Sequence, residues 1–199
     1  MGLDLPDQAA SVLKERIQSS SQTSIPLIHK LAQAYIAQGD NEGAQQMLDS
    51  ALQQDMTDDD RRGLRQLKAQ LYAKNKQLDD ALNLLNGDES FEGLTEKAKI
   101  YSAKNQYPEA AAAMGRALAQ KKPSQTDPSS ILSYALYLNK SQDWTGLQDL
   151  KSKYEAQLKD PKDKAALNLL MQNQGDGASL DKLQQELDEV DLFESYFKK

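Results

Sequence analysis

The sequence predicts an all-α protein built from stacked antiparallel helix pairs. Three observations carry that expectation: a strand-poor composition, a gapless internal repeat and a matching set of helix caps. Of the 199 residues 39 % are hydrophobic, only 6 % are aromatic, and Ala, Leu, Gln, Lys and Asp dominate over the Val and Ile that favour strands. The apolar fraction is low for a compact globule but too high for a disordered chain, as expected of an array that buries its core between neighbouring repeats.

Four segments align without gaps. They carry Ala32, Tyr35 and Ala44; Ala69, Tyr72 and Ala81; Ala98, Tyr101 and Ala110; and Ala135, Leu138 and Leu147. Internal offsets are three and nine residues, and the Tyr position advances by 37, 29 and 37, steps that bracket the period of ~34 of a helix–turn–helix repeat. A small Ala on the first helix lets its partner approach closely, and Tyr one turn later fills the gap between pairs. The second small residue opens the partner helix, followed at helical spacing by Leu48 and Ala51, or by Met114 and Ala117.

Element by element, helices are predicted over 6–19, 26–38, 41–54, 58–74, 78–86, 91–104, 108–120, 128–140, 143–158, 161–173 and 179–197. Pro26, Pro108, Pro128 and Pro161 suit first helical positions, with Asp127 and Asp160 as N-caps before two of them. Thr57 precedes Asp58-Asp59-Asp60, an acidic first turn that complements the helix dipole. Breaker and capping residues occupy the turns at Gly39-Asp40, Asn75-Lys76, Asn105-Gln106 and Gln142-Asp143. The helix at 78–86 is cut short by Asn86-Gly87-Asp88, which accounts for the 29-residue step.

Three regions follow. Ala10, Leu13 and Ile17 lie 34 residues before Ala44, Met47 and Ala51, so residues 1–24 read as the second half of a repeat without its first half: either an orphan packing helix that opens the chain or, the reading slightly favoured, the start of a fragment cut from a longer array. Residues 25–158 hold the four repeats. Residues 159–199 form a divergent fifth pair, with Leu167, Leu170 and Met171 facing Leu180, Leu183 and Leu187, ending in an acidic capping helix.

The Leu/Ala–Tyr–Gly–Ala pattern of residues 28–52 resembles the tetratricopeptide repeat; 94–118 match almost as well, 65–85 and 131–154 weakly. The family's Trp near the repeat start and Pro after the second helix are missing. The resemblance implies a right-handed α-solenoid of about four to five repeats with a concave groove that commonly binds peptides. In that register the groove is lined by His29, Gln33 and Ile36; Arg62, Gln66, Gln70 and Lys74; Thr95, Lys99 and Ser102; and Leu132, Leu136, Asn139 and Lys140. Four of these are basic and none is acidic, on a chain of net charge −6. Such a groove suits an acidic extended segment, oriented by Arg62, Lys74, Lys99 and Lys140 and anchored on Ile36, Leu132 and Leu136. Gln33 stands where an Asn of the family's carboxylate clamp would be, so a chaperone C-terminus is not the expected ligand.

Catalytic patterns are not found. His29 is the single histidine and there is no cysteine, which excludes disulfides, thiol catalysis and His- or Cys-based zinc sites. No nucleophile elbow, phosphate-binding loop or dinucleotide fingerprint is present. The carboxylate clusters lack calcium-loop spacing, and the triplet Asn139-Lys140-Ser141 is of a kind that arises by chance. We therefore expect no enzyme activity, no cofactor and no metal. Net charge −6 argues against nucleic acid. No stretch reaches the ~18 apolar residues of a membrane span, and Met1 to Pro6 do not form a signal-peptide pattern, which suits a soluble bacterial protein of cytoplasm or periplasm.

In the last predicted helix Leu180, Leu183, Leu187, Val190, Phe193 and Phe197 form one stripe, flanked by Tyr196. Residues 176–199 hold seven acidic and three basic side chains. A terminal cap with one polar face explains this pattern. Val190, Phe193, Tyr196 and Phe197 are also a candidate second interface. The expected function is a non-catalytic scaffold or adaptor gripping a protein or peptide segment. The alternatives are a spacer or self-associating module using the C-terminal helix, and an accessory domain of a larger protein.

Overall fold

A computed structural model describes residues 25–172. The predicted helices at 6–19 and 179–197, and with them Val190, Phe193, Tyr196 and Phe197, lie outside the described residues. Within them the secondary structure is all helical: α1 (Ile25–Gln38), α2 (Asn41–Leu52), α3 (Asp58–Lys74), α4 (Leu78–Leu84), α5 (Phe91–Ala103), α6 (Tyr107–Ala119), α7 (Pro128–Lys140), α8 (Trp144–Tyr154) and α9 (Pro161–Gln172). Short 3-10 turns at Pro123–Gln125 and Glu155–Gln157 complete the order. No strand occurs among the described residues, and the all-α helical-repeat class is borne out.

The repeat offsets have a physical basis in the packing. Ala32, Ala69, Ala98 and Ala135, and their partners Ala44, Ala81, Ala110 and Leu147, all have zero exposure. Each pair is joined by the same turn. Amides of Asp40, Gln77, Gln106 and Asp143 donate to carbonyls five residues back, on Tyr35, Tyr72, Tyr101 and Leu138, each at 2.9 Å. A second bond closes each turn, from Gly39, Lys76, Asn105 and Gln142 to the carbonyl three residues back. This is the Schellman closure, and it forces a left-handed residue at one position of every repeat: Gly39 (φ 81°), Lys76 (64°), Asn105 (58°) and Gln142 (60°). Left-handed conformation costs a non-glycine residue roughly 1–2 kcal/mol, while glycine's extra freedom in the unfolded chain gives back about 0.4–1 kcal/mol. Lys76→Gly and Gln142→Gly are therefore each expected to raise the unfolding free energy by about 0.5–1 kcal/mol, and Asn105→Gly by less, since Asn tolerates this region. A shift of the urea midpoint at constant slope checks it.

Caps follow the sequence. Thr57, Ser90 and Asp127 accept from the backbone amides of Asp60, Gly93 and Ser130. Asp40 and Asp143 accept likewise from Gly43 and Gly146. Asp160 accepts from the amide of Lys162 at 2.9 Å, as expected of the cap before Pro161. The eighth helix ends earlier than predicted, at Tyr154, whose φ of −121° leaves the helical region before the 3-10 turn.

The chain divides into two compact units, residues 1–88 and 89–199. The boundary falls just after the abbreviated α4. In the first unit Ile28, Ala32, Ala44, Leu48, Ala51, Leu64, Leu67 and Leu71 make the core. Lys68 Nζ donates to Asp49 Oδ1 at 2.5 Å, tying α3 to α2. Burial opposes the charge on Lys68, but the Asp49 carboxylate outweighs it and holds the ammonium's pKa above its usual value. Arg61 caps the end of α2 through the carbonyls of Leu52 and Gln54. In the second unit the core runs from Ala98 through Met114, Ile131, Leu138 and Leu147 to Leu167 and Leu170, with Trp144 packed against it.

Candidate interaction faces

In the first unit α1 and α3 pack side by side, which brings the first helices of two repeats together. Gln33, Arg62, Gln70 and Lys74 are exposed, and His29, Ile36 and Gln66 are half-buried. Lys74 Nζ donates to the Ile36 carbonyl, so this cation closes the seam at the helices' C-terminal ends, where the dipole is negative. Arg62 pairs with Asp59 Oδ1 at 2.5 Å, and Gln66 Nε2 donates to Asp88 Oδ2 at 2.8 Å. Asp59 and Asp88 thus belong to this face, although the first-helix register does not include them. Exposed pairs of this kind hold only about 0–1 kcal/mol.

The second unit arranges its residues differently. Lys99 is exposed and lies 3.6 Å from Glu96, whereas Thr95, Ser102 and Lys140 are half-buried. Thr95 Oγ1 donates to the Phe91 carbonyl at 2.7 Å. Lys140 Nζ sits 5.6 Å from the centre of the Tyr107 ring. Leu132, Leu136 and Asn139 do not reach the surface: they are 3 %, 7 % and 6 % exposed. The two leucines join the core cluster that includes Leu167 and Leu170 of α9, and Asn139 Nδ2 donates to the Leu170 carbonyl at 2.8 Å. These three are corrected from ligand contacts to packing residues, because α9 packs against α7.

Glu96 was not anticipated. It is a buried carboxylate, 8 % exposed, on a helix whose other chosen positions are neutral or basic. Close to it lies Tyr137, whose phenol burial pushes up to about 12; the Ser102 hydroxyl opposes that shift and the Glu96 charge adds to it. A second unanticipated feature is a trough of about 500 Å³ between α6 and α7, lined among others by Ala111, Ala112, Gly115, Ala119, Tyr134 and Leu138. A Cβ on Gly115 would come within 2.8 Å of the Tyr134 hydroxyl, so glycine is what lets that ring lie across α6. The sequence signal was available in the run of small residues at helical spacing on the second helix of repeat three.

Among the described residues no three His, Cys, Asp or Glu side chains are placed to hold a metal ion, and no helix is long and apolar enough to cross a membrane.

Paired helices, small residues at their crossings and one recurring turn define a helical-repeat protein. Residues 4–67, about a third of the chain, match a family model described as tetratricopeptide repeat, so the resemblance read from residues 28–52 is shown there. Repeats of this family generally mediate protein–protein interaction and are generally non-catalytic. No curated protein and no solved structure matches the chain.

Proposed function

We propose that this protein is a non-catalytic adaptor that binds an acidic segment of a protein partner along the first-helix faces. The observation that carries this reading is the seam of α1 and α3, where Gln33, Gln70, Arg62 and Lys74 are all exposed beside the half-buried Ile36. Glutamine side chains can donate to and accept from a peptide backbone. Cations whose present partners are a single exposed carboxylate or a main-chain carbonyl can exchange them for ligand carboxylates. Lys99 and Lys140 give the first-helix face of the second unit a cationic character of its own. Ile36 takes the role of apolar anchor alone, since Leu132 and Leu136 are packed inside.

The test is a titration of acidic and charge-neutral peptides against the native chain and a variant carrying Arg62→Glu, Lys74→Glu, Lys99→Glu and Lys140→Glu. At low salt the variant is expected to lose on the order of tenfold or more in affinity for the acidic peptides, with the difference shrinking as salt rises. A loss of equal size at low and high salt would sink the electrostatic account.

A further inference from the structure

The end of the first unit carries the chain's one Asn-Gly pair, Asn86-Gly87. Both residues are exposed. Gly87 is in the left-handed region at φ 75°, and a Cβ built on it would meet nothing within 4 Å beyond its chain neighbours, so the turn lies open. Neither the Gly87 N–H nor the Asn86 side-chain amide has a hydrogen-bond partner among the described residues. The neighbours are pinned instead: the Asn86 amide donates to the Asn83 carbonyl at 3.2 Å and the Asp88 amide to that of Leu85 at 3.0 Å.

We propose that Asn86 is a site of spontaneous deamidation, with water as the only co-reactant. The Gly87 backbone nitrogen gives up its proton and attacks Asn86 Cγ. A new N–C bond closes a five-membered succinimide, the bond from Cγ to the side-chain nitrogen breaks, and that nitrogen leaves as ammonia with the proton. Water then opens the ring at one of its two carbonyls. One opening leaves aspartate at position 86; the other leaves isoaspartate, whose side-chain methylene has entered the main chain. Glycine is the residue that favours the ring, because a side chain carried next to the attacking nitrogen hinders its approach to Asn86 and is strained at this φ. Either product adds a negative charge two residues from Asp88, the carboxylate on which Gln66 rests. The other described asparagines lack this combination. Asn41 and Asn75 bond each other at 2.6 Å, Asn105 accepts from the Tyr107 hydroxyl, Asn139 is buried, and Asn83 and Asn168 lie within helices.

The experiment incubates the native full chain at mildly alkaline pH and follows the peptide spanning 77–97 by fragmentation mass spectrometry, beside a chain unfolded in urea. Asn86 is expected to convert to a mixture of aspartate and isoaspartate in the native chain, while Asn83 in the same peptide keeps its amide. Gly87→Ala is expected to slow the conversion on the order of tenfold or more, and Asn86→Gln, which keeps the amide but is one methylene too long to close the five-membered ring, to abolish it. If native Asn86 keeps its amide over a period in which the unfolded chain has converted, or if Asn83 converts as fast, the proposal is overturned.

Discussion

Truncating Leu71 to Ala is expected to lower the unfolding free energy by about 2–5 kcal/mol. Leu71 is fully buried on α3 and shares its core with Ile28, Ala32, Leu48 and Leu64, so it joins α3 to both helices of the preceding pair. Removing its isobutyl group loses the transfer free energy and leaves a void that helices spaced by alanines cannot collapse to fill. A loss of this size is a large share of the roughly 5–15 kcal/mol typical of a native protein. Urea unfolding followed by circular dichroism measures it; a change below about 1 kcal/mol would mean that the α1–α3 packing is not what holds this unit.

The second large effect is an alkaline one. The Tyr137 phenol has its pKa raised from 10.0 to about 12 by burial. A folded value above the unfolded one means the fold favours the neutral phenol. Its contribution is complete below pH 10 and is lost as the pH rises through about 12. A rise of that size corresponds to about 3 kcal/mol. Tyr137→Phe has no proton to lose. The stability difference between native and variant chains should therefore be flat up to pH 10 and shift in the variant's favour by about 3 kcal/mol toward pH 12. Urea midpoints across that range check the sign; parallel curves would show that Tyr137 ionises as it does in the unfolded chain.

Much of the fold was legible because the signals are local. Helices 58–74 and 128–140 begin where Thr57 and Asp127 cap them and end where the left-handed turn falls. Gly39 and Asn105 announce that turn. Lys76 and Gln142 do not; the adjacent Asn75 and Asp143 and the repeat register mark the turn there. The 3-10 turn at Pro123–Gln125 had no anticipated counterpart, since a short proline-led turn reads like a loop.

The candidate site was legible in one half. On α1 and α3 the register identifies side chains that lie at the surface: Gln33, Arg62, Gln70 and Lys74 are all exposed. On α7 the same register selects Leu132, Leu136 and Asn139, which α9 and the surrounding core bury. Apolar residues at groove positions are equally what a ligand anchor and a helix contact require, so the pattern of one helix cannot separate them. Glu96 escaped notice, and Asp59 was read only as part of an acidic first turn, for a related reason: a carboxylate one position off the selected face returns to it through its side chain to pair with Lys99 or Arg62.

The most direct measurement of the central claim is amide hydrogen exchange on the native chain with and without an acidic peptide selected by the titration. The account predicts new protection in α1 and α3, strongest around Gln33, Ile36, Gln70 and Lys74, and its loss in the four-cation variant. Protection confined to α6 and α7 around the Ala112 and Gly115 trough, with α1 and α3 unchanged, would contradict it and move the binding surface to the second helix of the third repeat.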